Sequence, residues 1–474
     1  MPQPLVKTRS GGAASVPQRA LDSFKAAFRG KILEPGTTGY DAACGIWNAM
    51  IDRRPALIAR CATADDVILA VRLAASHDLL VSVRGGGHNI AGKALCDGGL
   101  VIDLSAMTDV AVDPASRMAR VGPGATLADV DRATQVHGLA TPVGINSTTG
   151  IAGLTLGGGF GWLSRSLGLT VDNLLAADVV TADGTLVRAS ATEHPDLFWG
   201  IRGGGGNFGV VTSFEFRLHP VGPDVLSGLI IHPLDETAKV LRFYRDFLKS
   251  TPDEFVCWFV LRKAPPLPFL AAEWHGREIL VLAVCYGGAI ADGERIAKPL
   301  REFGHPIADV IQPHPFTAWQ AVLDPLLAPG MRNYWKSHDF LEVSDGLVDV
   351  LIEHARRIPD PQTEIAVAQL GGAVSRVAAD ATAYAHRDAQ FVMNVHGRWE
   401  DPSKDALCIG WARQLFEAAA PFATGGAYVN FLTEEEQGRV PAAYAGNYAR
   451  LVELKRKYDP SNLFRVNQNI GPST

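Results

Sequence analysis

The chain has 474 residues, a length that α/β enzymes often divide between two domains. Hydrophobic residues make up 47% of it and charged residues 20%, values that exclude an intrinsically disordered or fibrous protein. The formal net charge is −6, so no nucleic-acid partner is predicted. Glycine is enriched, and many of its 48 residues gather in three clusters, which indicates places where the backbone approaches another group closely.

Cysteine spacing and hydropathy indicate the cellular compartment. The six cysteines lie far apart and form no CxxC pair, so we expect buried thiols and no metal site. The N-terminal segment has neither the apolar core nor the twin arginine of an export signal, which fits a reducing compartment. The longest uncharged apolar stretch, residues 279–291, is too short to span a bilayer. We therefore expect a soluble, cytoplasmic protein with no membrane partner.

Local patterns in the first half of the chain predict alternating helices and strands. Thr63 and the acids after it predict the start of a helix, and a strand at Leu79–Val83 then leads into the first glycine cluster. Asp183 and Gly184 predict a hairpin turn, and the alternation over Gly209–Leu218 predicts a strand. Further predicted elements are strands at Leu100–Leu104 and Val121–Ala125 and a helix at Thr126–Val136.

The glycine clusters stop near Pro220, where we place a domain boundary. Beyond it, apolar strands alternate with amphipathic helices, an order that favours an antiparallel sheet with helices on one face. The predicted strands are Leu229–His232, Val256–Leu261, Ile279–Tyr286, Ile365–Leu370 and Gln390–His396, and the predicted helices are Thr237–Lys249, Asp345–Ala355 and Asp405–Ala419. A basic amphipathic helix that ends near Tyr458 is predicted in the C-terminal tail.

The first glycine cluster, Arg84–Gly92, allows three interpretations. Gly87, Gly92 and Lys93 fit a nucleoside-triphosphate loop, but Ala94 stands where that loop needs a Mg²⁺-binding hydroxyl. A plain turn capped by a histidine is the second interpretation. The third is a pyrophosphate cradle, in which consecutive backbone N–H groups bind an anion beside a nucleotide cofactor.

The other two clusters are less specific on their own. Gly204–Gly209 matches the GxGxxG dinucleotide fingerprint, but a helix-like segment precedes it and a strand follows, which is the reverse of the required context. The cluster Gly157–Gly161 is typical of a tight turn between elements.

In this order and at these spacings, the clusters resemble those of a known family. The matching segments are Arg84–Gly92, Thr149–Gly161, Asp196–Gly209, Tyr428–Phe431 and Tyr458–Arg465. They resemble the FAD-linked oxidases similar to berberine bridge enzyme, within the vanillyl-alcohol oxidase superfamily, and the chain looks like a bacterial member. Several motifs in the right order are far more specific than any one of them.

The resemblance implies an α+β fold: a PCMH-type FAD-binding domain of two α/β subdomains, plus a substrate domain with a large antiparallel sheet covered by helices. We place the FAD-binding domain at residues 20–222 and the substrate domain at 223–425. A C-terminal segment, 426–474, would return to the FAD domain. The expected partners are a small-molecule substrate and O₂. The oligomeric state is left open, with a homodimer as one alternative.

The cofactor implied by the resemblance is FAD, bonded covalently through His88. In relatives similar to this chain, the corresponding histidine is linked to the flavin's 8α-methyl group. Many relatives add a second link through a cysteine, but here that position is Asn146, so we expect a single bond. The cofactor-binding residues implied are His88 with Arg84, Gly85, Gly86, Gly87, Asn89, Gly92, Asn146, Thr148, Thr149, Gly150, Gly153, Gly158, Gly161, Gly209, Val210, Asn430 and Asn467.

Three further positions bear on chemistry at the flavin. Thr149 falls where family oxidases carry a small residue that controls the approach of oxygen, and Leu154 replaces a histidine near the flavin's N1 side. Phe431 replaces a tyrosine that relatives use as the catalytic base or its partner, and phenylalanine cannot carry a proton. The remaining candidates for the base are Tyr428, Lys336, His338 and His396, with Asn430 on the same segment as Tyr428.

Three functions are consistent with these residues. The leading one is an oxidase that moves a hydride from a small alcohol, amine or secondary-metabolite substrate to FAD and then to O₂, releasing H₂O₂. The second is a flavin dehydrogenase with another acceptor. The third is a flavin-bearing protein that sequesters a small aromatic compound. Reoxidation by air separates the first two, and any turnover dismisses the third.

Overall fold

A computed structural model describes residues 5–473 of the chain. The N-terminal part contains β1 (Leu5–Lys7), β2 (Ala13–Ser15), α1 (Gln18–Ala27), β3 (Lys31–Leu33), α2 (Tyr40–Cys44), β4 (Leu57–Arg60), α3 (Ala64–Ser76), β5 (Val81–Arg84) and β6 (Leu100–Asp103). Strands β3-β4-β6-β5 form a sheet in which β4, β6 and β5 run parallel. The Thr63 hydroxyl caps α3 by accepting from the Asp66 N–H, as its sequence predicted. The glycine cluster after β5 thus leaves the carboxyl end of a parallel strand.

A second sheet follows along the chain. Its part of the chain contains β7 (Val110–Asp113), β8 (Met118–Val121), α4 (Leu127–Gln135), β9 (Leu139–Ala140), α5 (Ile151–Leu156), α6 (Ser164–Leu167), β10 (Leu174–Val180), β11 (Leu186–Ser190), α7 (Pro195–Ile201), β12 (Val210–Arg217) and β13 (His219–Pro220). Strands β11-β10-β12-β8-β7 form an antiparallel sheet. The strand predicted at Val121–Ala125 is wrong: β8 ends at Val121, because Gly122 and Gly124 press against the backbone of Met107 and Leu104.

The third and largest sheet forms most of the second half. Its part of the chain contains β14 (Asp224–Pro233), α8 (Thr237–Leu248), β15 (Phe255–Lys263), β16 (Glu278–Tyr286), α9 (Ile290–Arg301), β17 (Ala308–Asp309), β18 (Gln312–Pro315), α10 (Phe316–Gln320), β19 (Arg332–Phe340), α11 (Asp345–Ala355), β20 (Glu364–Gln369), α12 (Ala373–Arg376), β21 (Phe391–Trp399) and α13 (Asp405–Ala419). Its strand pairs are antiparallel, in the order β17-β14-β16-β15-β20-β21-β19. Helix α9, which contains Pro299, was not predicted from the sequence.

Alternation along the strands gives the large sheet two different faces. On β15, Cys257, Phe259 and Leu261 pack into the main hydrophobic core with α8, α11 and α13. The intervening residues, Trp258 and Arg262 among them, point to the other face, which borders a cavity. We call this second face the open face. The predicted antiparallel sheet with helices on one face is confirmed.

The C-terminal part returns to the second sheet. It contains α14 (Val440–Tyr444) and α15 (Tyr448–Tyr458), and α15 packs on α7. The fully buried Lys455 ammonium donates to the carboxylate of Asp459 and to the carbonyl oxygens of Asn207 and Phe464, which ties the tail to the Gly204–Gly209 cluster. All six cysteines are buried thiols, as predicted. Across residues 5–473, the helices are too short or too polar to cross a membrane.

Candidate active site

A cavity of about 420 Å³ lies between the glycine clusters and the open face of the large sheet. Its first wall includes Gly85, Gly86, Gly87, His88, Asn89, Asn146, Thr149, Gly150, Gly153, Gly205, Gly206, Gly209 and Val210. Its second wall includes Leu229, Ile231, Trp258, Val260, Arg262, Val281, Ala283, Trp335, Glu364, Asn394 and His396. Segments that are far apart in sequence therefore meet around one space.

The first glycine cluster and the Thr149–Gly161 segment meet backbone to backbone in the first wall. A Cβ built on Gly86 would lie 2.5 Å from the Gly150 Cα, and one built on Gly150 would lie 2.4 Å from the Gly86 N atom. Both distances are shorter than a real Cβ tolerates, so glycine is required at both positions. Without side chains, this wall can approach a ligand closely and offer it backbone N–H groups.

His88 stands in the same wall, stacked on Trp47 with ring centroids 5.3 Å apart. Its Nε2 lies 3.0 Å from the Thr148 Oγ1, and that hydroxyl donates to Asn146 Oδ1 at 2.8 Å. Since the Asn146 oxygen only accepts, the Thr148 oxygen accepts the Nε2 proton, which leaves Nδ1 unprotonated. Burial lowers the pKa of His88 to about 4, and a hydrogen bond that the ring donates to the Thr148 backbone raises it less. At neutral pH the ring is uncharged, and its Nδ1, which lies 3.5 Å from the Thr149 Oγ1, carries the lone pair for a covalent bond.

Three polar side chains stand opposite one another on adjacent strands of the open face. Arg262 pairs in register with Glu364, and Glu364 pairs in register with His396. The Arg262 Nη1 donates to Glu364 Oε2 at 2.7 Å, and Glu364 Oε1 lies 3.3 Å from His396 Nδ1. We call Arg262, Glu364 and His396 the polar row.

Electrostatics in the polar row fix its protonation. Burial alone would raise the pKa of Glu364, but the charge of Arg262 and the hydrogen bond to His396 lower it to about 2. Burial lowers the pKa of His396 more than Glu364 raises it. At neutral pH the row therefore holds an ionised carboxylate beside a neutral imidazole that is able to accept a proton. Arg262 and Glu364 were not predicted from the sequence, where their signal was a charged residue at an open-face position of a mostly apolar strand.

Lys336 and His338 require a correction, because both point away from the cavity. The Lys336 Nζ lies 2.7 Å from Glu435 Oε1, and His338 stacks on Phe416 of α13 with ring centroids 4.1 Å apart. Burial lowers the pKa of His338 to about 4. On the same strand, β19, it is Trp335 that lines the cavity. Neither Lys336 nor His338 is placed to act as the catalytic base.

Tyr428 lines the cavity, but its hydroxyl already has partners. It accepts hydrogen bonds from the Gly159 N–H and the Asn430 Nδ2, each at 3.1 Å. Burial raises the pKa of Tyr428 to about 12, although both hydrogen bonds lower it, so the phenol keeps its proton at neutral pH. Phe431 packs edge-on against Tyr428 and Trp335, at 4.8 and 5.3 Å between ring centroids. Of the four predicted bases, His396 is therefore the best placed.

Comparison with known proteins decides the family. Residues 55–190 match the family described as FAD binding domain, and residues 427–471 match the family described as berberine and berberine like. The chain is 32% identical to (R)-6-hydroxynicotine oxidase of Paenarthrobacter nicotinovorans over 94% of this chain and 97% of that protein. This chain belongs to the berberine bridge enzyme-like family of FAD-linked oxidoreductases.

Solved structures of this family share the fold. The crystal structure of 6-hydroxy-D-nicotine oxidase from Arthrobacter nicotinovorans matches with a TM-score of 0.84 and 30% identity, covering 94% of this chain and 98% of that one. Xylooligosaccharide oxidase from Myceliophthora thermophila matches with a TM-score of 0.83 and 26% identity, covering 96% and 99%. The predicted α+β fold and the predicted FAD-dependent oxidase are confirmed.

The cavity fits the FAD of this family. The glycine wall offers backbone groups of the kind that bind a diphosphate, and His88 presents a neutral imidazole to the same space. Asn467 also lines the cavity, and its Oδ1 is buried without a hydrogen-bond partner among residues 5–473. Because a buried polar atom is costly when unpaired, this oxygen is suited to a polar group of the nucleotide.

Most of the implied cofactor-binding residues border the cavity. They are His88, Gly85, Gly86, Gly87, Asn89, Asn146, Thr149, Gly150, Gly153, Gly209, Val210, Asn430 and Asn467. Leu154, in place of the relatives' histidine, borders it too. The discounted GxGxxG segment also contributes, because Gly205 and Gly206 reach the cavity wall; sequence analysis did not include them.

Five implied residues do not border the cavity and act through the scaffold instead. Thr148 does not line the cavity, but its hydroxyl contacts His88, which does. The Arg84 side chain is bound to the scaffold, because its Nη1 donates to the Ala43 carbonyl at 2.5 Å. Gly92 has φ +72° in a turn against Ile51. The assignment of Gly158 and Gly161 to direct cofactor contact is corrected: a Cβ on Gly158 would meet Tyr384, and one on Gly161 would meet the Val143 carbonyl. These glycines permit tight packing behind the wall.

Proposed function

We propose that this protein oxidises a small alcohol, amine or secondary-metabolite substrate with FAD bonded covalently through His88, and that O₂ then accepts the electrons as H₂O₂. Bound FAD supplies the hydride acceptor in this chemistry. The observation that carries the proposal is that His88 and the glycine wall line one side of a cavity whose other side carries the polar row. We further propose that the protein is bacterial and acts in the cytoplasm.

Attachment of the flavin through one bond rests on the surroundings of His88. The Thr148 hydroxyl holds the Nε2 proton, so Nδ1 is the nitrogen available for the bond. Asn146, which replaces the cysteine of doubly linked relatives, accepts from the Thr148 hydroxyl and the Thr148 N–H. An amide cannot form a second link, so the flavin is held once.

We assign the role of proton acceptor to His396. Its Nδ1 faces the Glu364 carboxylate, and its Nε2 lies 3.3 Å from Asn333 Oδ1. The Asn333 amide is oriented by donating from Nδ2 to the Met331 carbonyl at 2.7 Å, so its oxygen can only accept from His396. A proton taken up by His396 is therefore stabilised on both sides of the ring. Loss of the substrate's proton is the step that such an imidazole assists.

The test is made on the purified protein. Acid-precipitated wild-type protein is expected to stay yellow, whereas His88→Ala is expected to release its flavin to the supernatant. In a separate measurement without substrate, dithionite-reduced enzyme is mixed with air-saturated buffer. Rapid return of the oxidised spectrum with formation of H₂O₂ supports the oxidase. A colourless wild-type pellet contradicts the covalent bond, and slow reoxidation indicates a dehydrogenase with another acceptor.

A further inference from the structure

Strand register divides the open face of the large sheet into rows of side chains. Residues directly opposite on neighbouring strands share a row, and rows alternate between the two faces. The polar row continues onto β19 through Trp335, which pairs with His396. The next two rows on the same face are apolar from β14 to β20, and on β21 and β19 they include Asn394, Ser337 and Asp339. We call Ile231, Val281 and Val260, with Leu229, Ala283 and Trp258, the apolar rows.

The apolar rows form the far part of the cavity wall. Loop residues Pro265, Leu267, Leu323 and Leu327 line it as well, so the enclosure around this part of the cavity is also apolar. Asn394, on the row next to the polar row, lines the cavity as well, whereas the polar Ser337 and Asp339 on β19 do not border it. A ligand in this chamber contacts hydrocarbon and aromatic surface along most of its length.

The apolar side chains in this part of the cavity disfavour the binding of a sugar. Each hydroxyl of a saccharide needs a hydrogen-bond partner when it leaves water, and an unpaired buried hydroxyl costs free energy. This part of the cavity offers the Trp258 Nε1 and the Asn394 Oδ1, both without a hydrogen-bond partner among the described residues. These two groups are too few for the several hydroxyls of a saccharide. An apolar ring system gains free energy from the same surface.

Charge near the polar row disfavours a protonated amine. Both Glu364 oxygens are engaged, Oε2 with Arg262 and Oε1 with His396. Among the described residues that line the cavity, the other two charged side chains are Arg262 and Lys93, and both are cationic. An ammonium group would therefore be desolvated beside cations without a free carboxylate. A hydroxyl carries no charge that must be balanced, so the same cations do not oppose it.

We propose that the substrate is an uncharged apolar ring compound that carries a single hydroxyl group, with its ring body against the apolar rows and its hydroxyl at the polar row. This inference rests on the proposed function, because it names the substrate class of that site. It selects the alcohol class from the alcohol, amine and secondary-metabolite substrates proposed above.

The test compares three probes by calorimetry on dithionite-reduced holoenzyme under argon, where no turnover intervenes. The probes are 2-naphthylmethanol, 2-naphthylmethylamine, which is protonated at neutral pH, and xylobiose. We expect the Kd of the alcohol to be at least about tenfold lower than that of the amine and about a hundredfold lower than that of xylobiose. Equal or tighter binding of the amine or the sugar would overturn the proposal, and so would failure of the alcohol to bind.

Paired variants test whether the ring of the ligand lies against the apolar rows. Val260→Thr keeps the side-chain volume but puts a hydroxyl on the apolar rows, and it should raise the Kd of 2-naphthylmethanol by about fivefold or more. Val281→Thr repeats the test at the neighbouring position. Val187→Thr, on β11 and outside the cavity lining, is the control. An unchanged flavin spectrum shows that each variant is folded. Unchanged affinity for 2-naphthylmethanol in both cavity variants would contradict the proposal. Reoxidation of the reduced enzyme by air tests the proposed function separately, because it needs no substrate.

Discussion

Gly86 and Gly150 touch through their backbones: the Gly150 Cα would lie 2.5 Å from a Cβ on Gly86. Their contact joins the segment that carries His88 to the segment that carries Thr148 and Thr149, and it forms the floor of the cavity. The position of the histidine relative to the rest of the site thus depends on two residues without side chains.

Gly86→Ala should therefore abolish or strongly reduce flavin incorporation, because the new methyl group must push the two segments apart. The ratio of flavin to protein absorbance measures the effect. Gly410→Ala, in α13 where a Cβ meets nothing within 4 Å, is the matched control and should bind flavin normally. Full flavin content in Gly86→Ala would show that the segments can move apart without cost.

Thr148→Val should slow covalent attachment. The hydroxyl accepts the Nε2 proton of His88, so its loss removes the group that keeps Nδ1 unprotonated. We expect a larger fraction of flavin to be released by acid, about tenfold more than from wild type, on the scale of a lost positioning hydrogen bond. Thr192→Val, an exposed threonine outside the cavity lining, is the control. Wild-type retention of flavin in Thr148→Val would remove the hydroxyl from the attachment reaction.

Glu364→Gln tests the polar row through a pH profile. The carboxylate raises the pKa of His396, so the amide should let that pKa fall further. Because the proton acceptor must be neutral, the acid limb of the flavin-reduction rate should move to lower pH. The plateau should also fall, by about tenfold to a hundredfold, because the protonated ring loses its counter-charge.

The control for Glu364→Gln is Glu215→Gln, which removes a carboxylate paired with Arg188 on the second sheet. It should leave both the plateau and the acid limb in place. A shift of the acid limb to higher pH in Glu364→Gln would contradict the assignment of His396. Thermal unfolding is measured alongside, since Arg262 loses its partner in the variant.

Lys336→Met and His396→Gln should separate structural from chemical roles. Lys336 lies on the helix-covered face with Glu435 and Glu436, so its loss should cost about 1–3 kcal/mol of unfolding free energy and change flavin reduction by less than about threefold. His396→Gln should slow flavin reduction by about a hundredfold or more and leave the flavin spectrum intact. Stopped-flow reduction and thermal melting decide between these outcomes; the reverse pattern would restore Lys336 as the base.

Sequence alone determined the features that are local in the chain. Helix α11 begins at Asp345 and ends at Ala355 as predicted, because its cap and apolar spacing lie within a dozen residues. The glycine clusters and His88 were recognised for a similar reason, since each motif is a short continuous segment with fixed spacing. They sufficed to predict the fold and the cofactor.

Tertiary structure decided which side chains meet. Alternation along β19 shows that Trp335 and Lys336 face opposite ways, but only packing against α13 shows that Lys336 is the one turned from the cavity. The pairing of Glu364 with His396 depends on the register of two strands whose paired residues are 32 positions apart. Strand register is set by the whole sheet's burial pattern and not by either strand's own residues, so the polar row was invisible in the sequence.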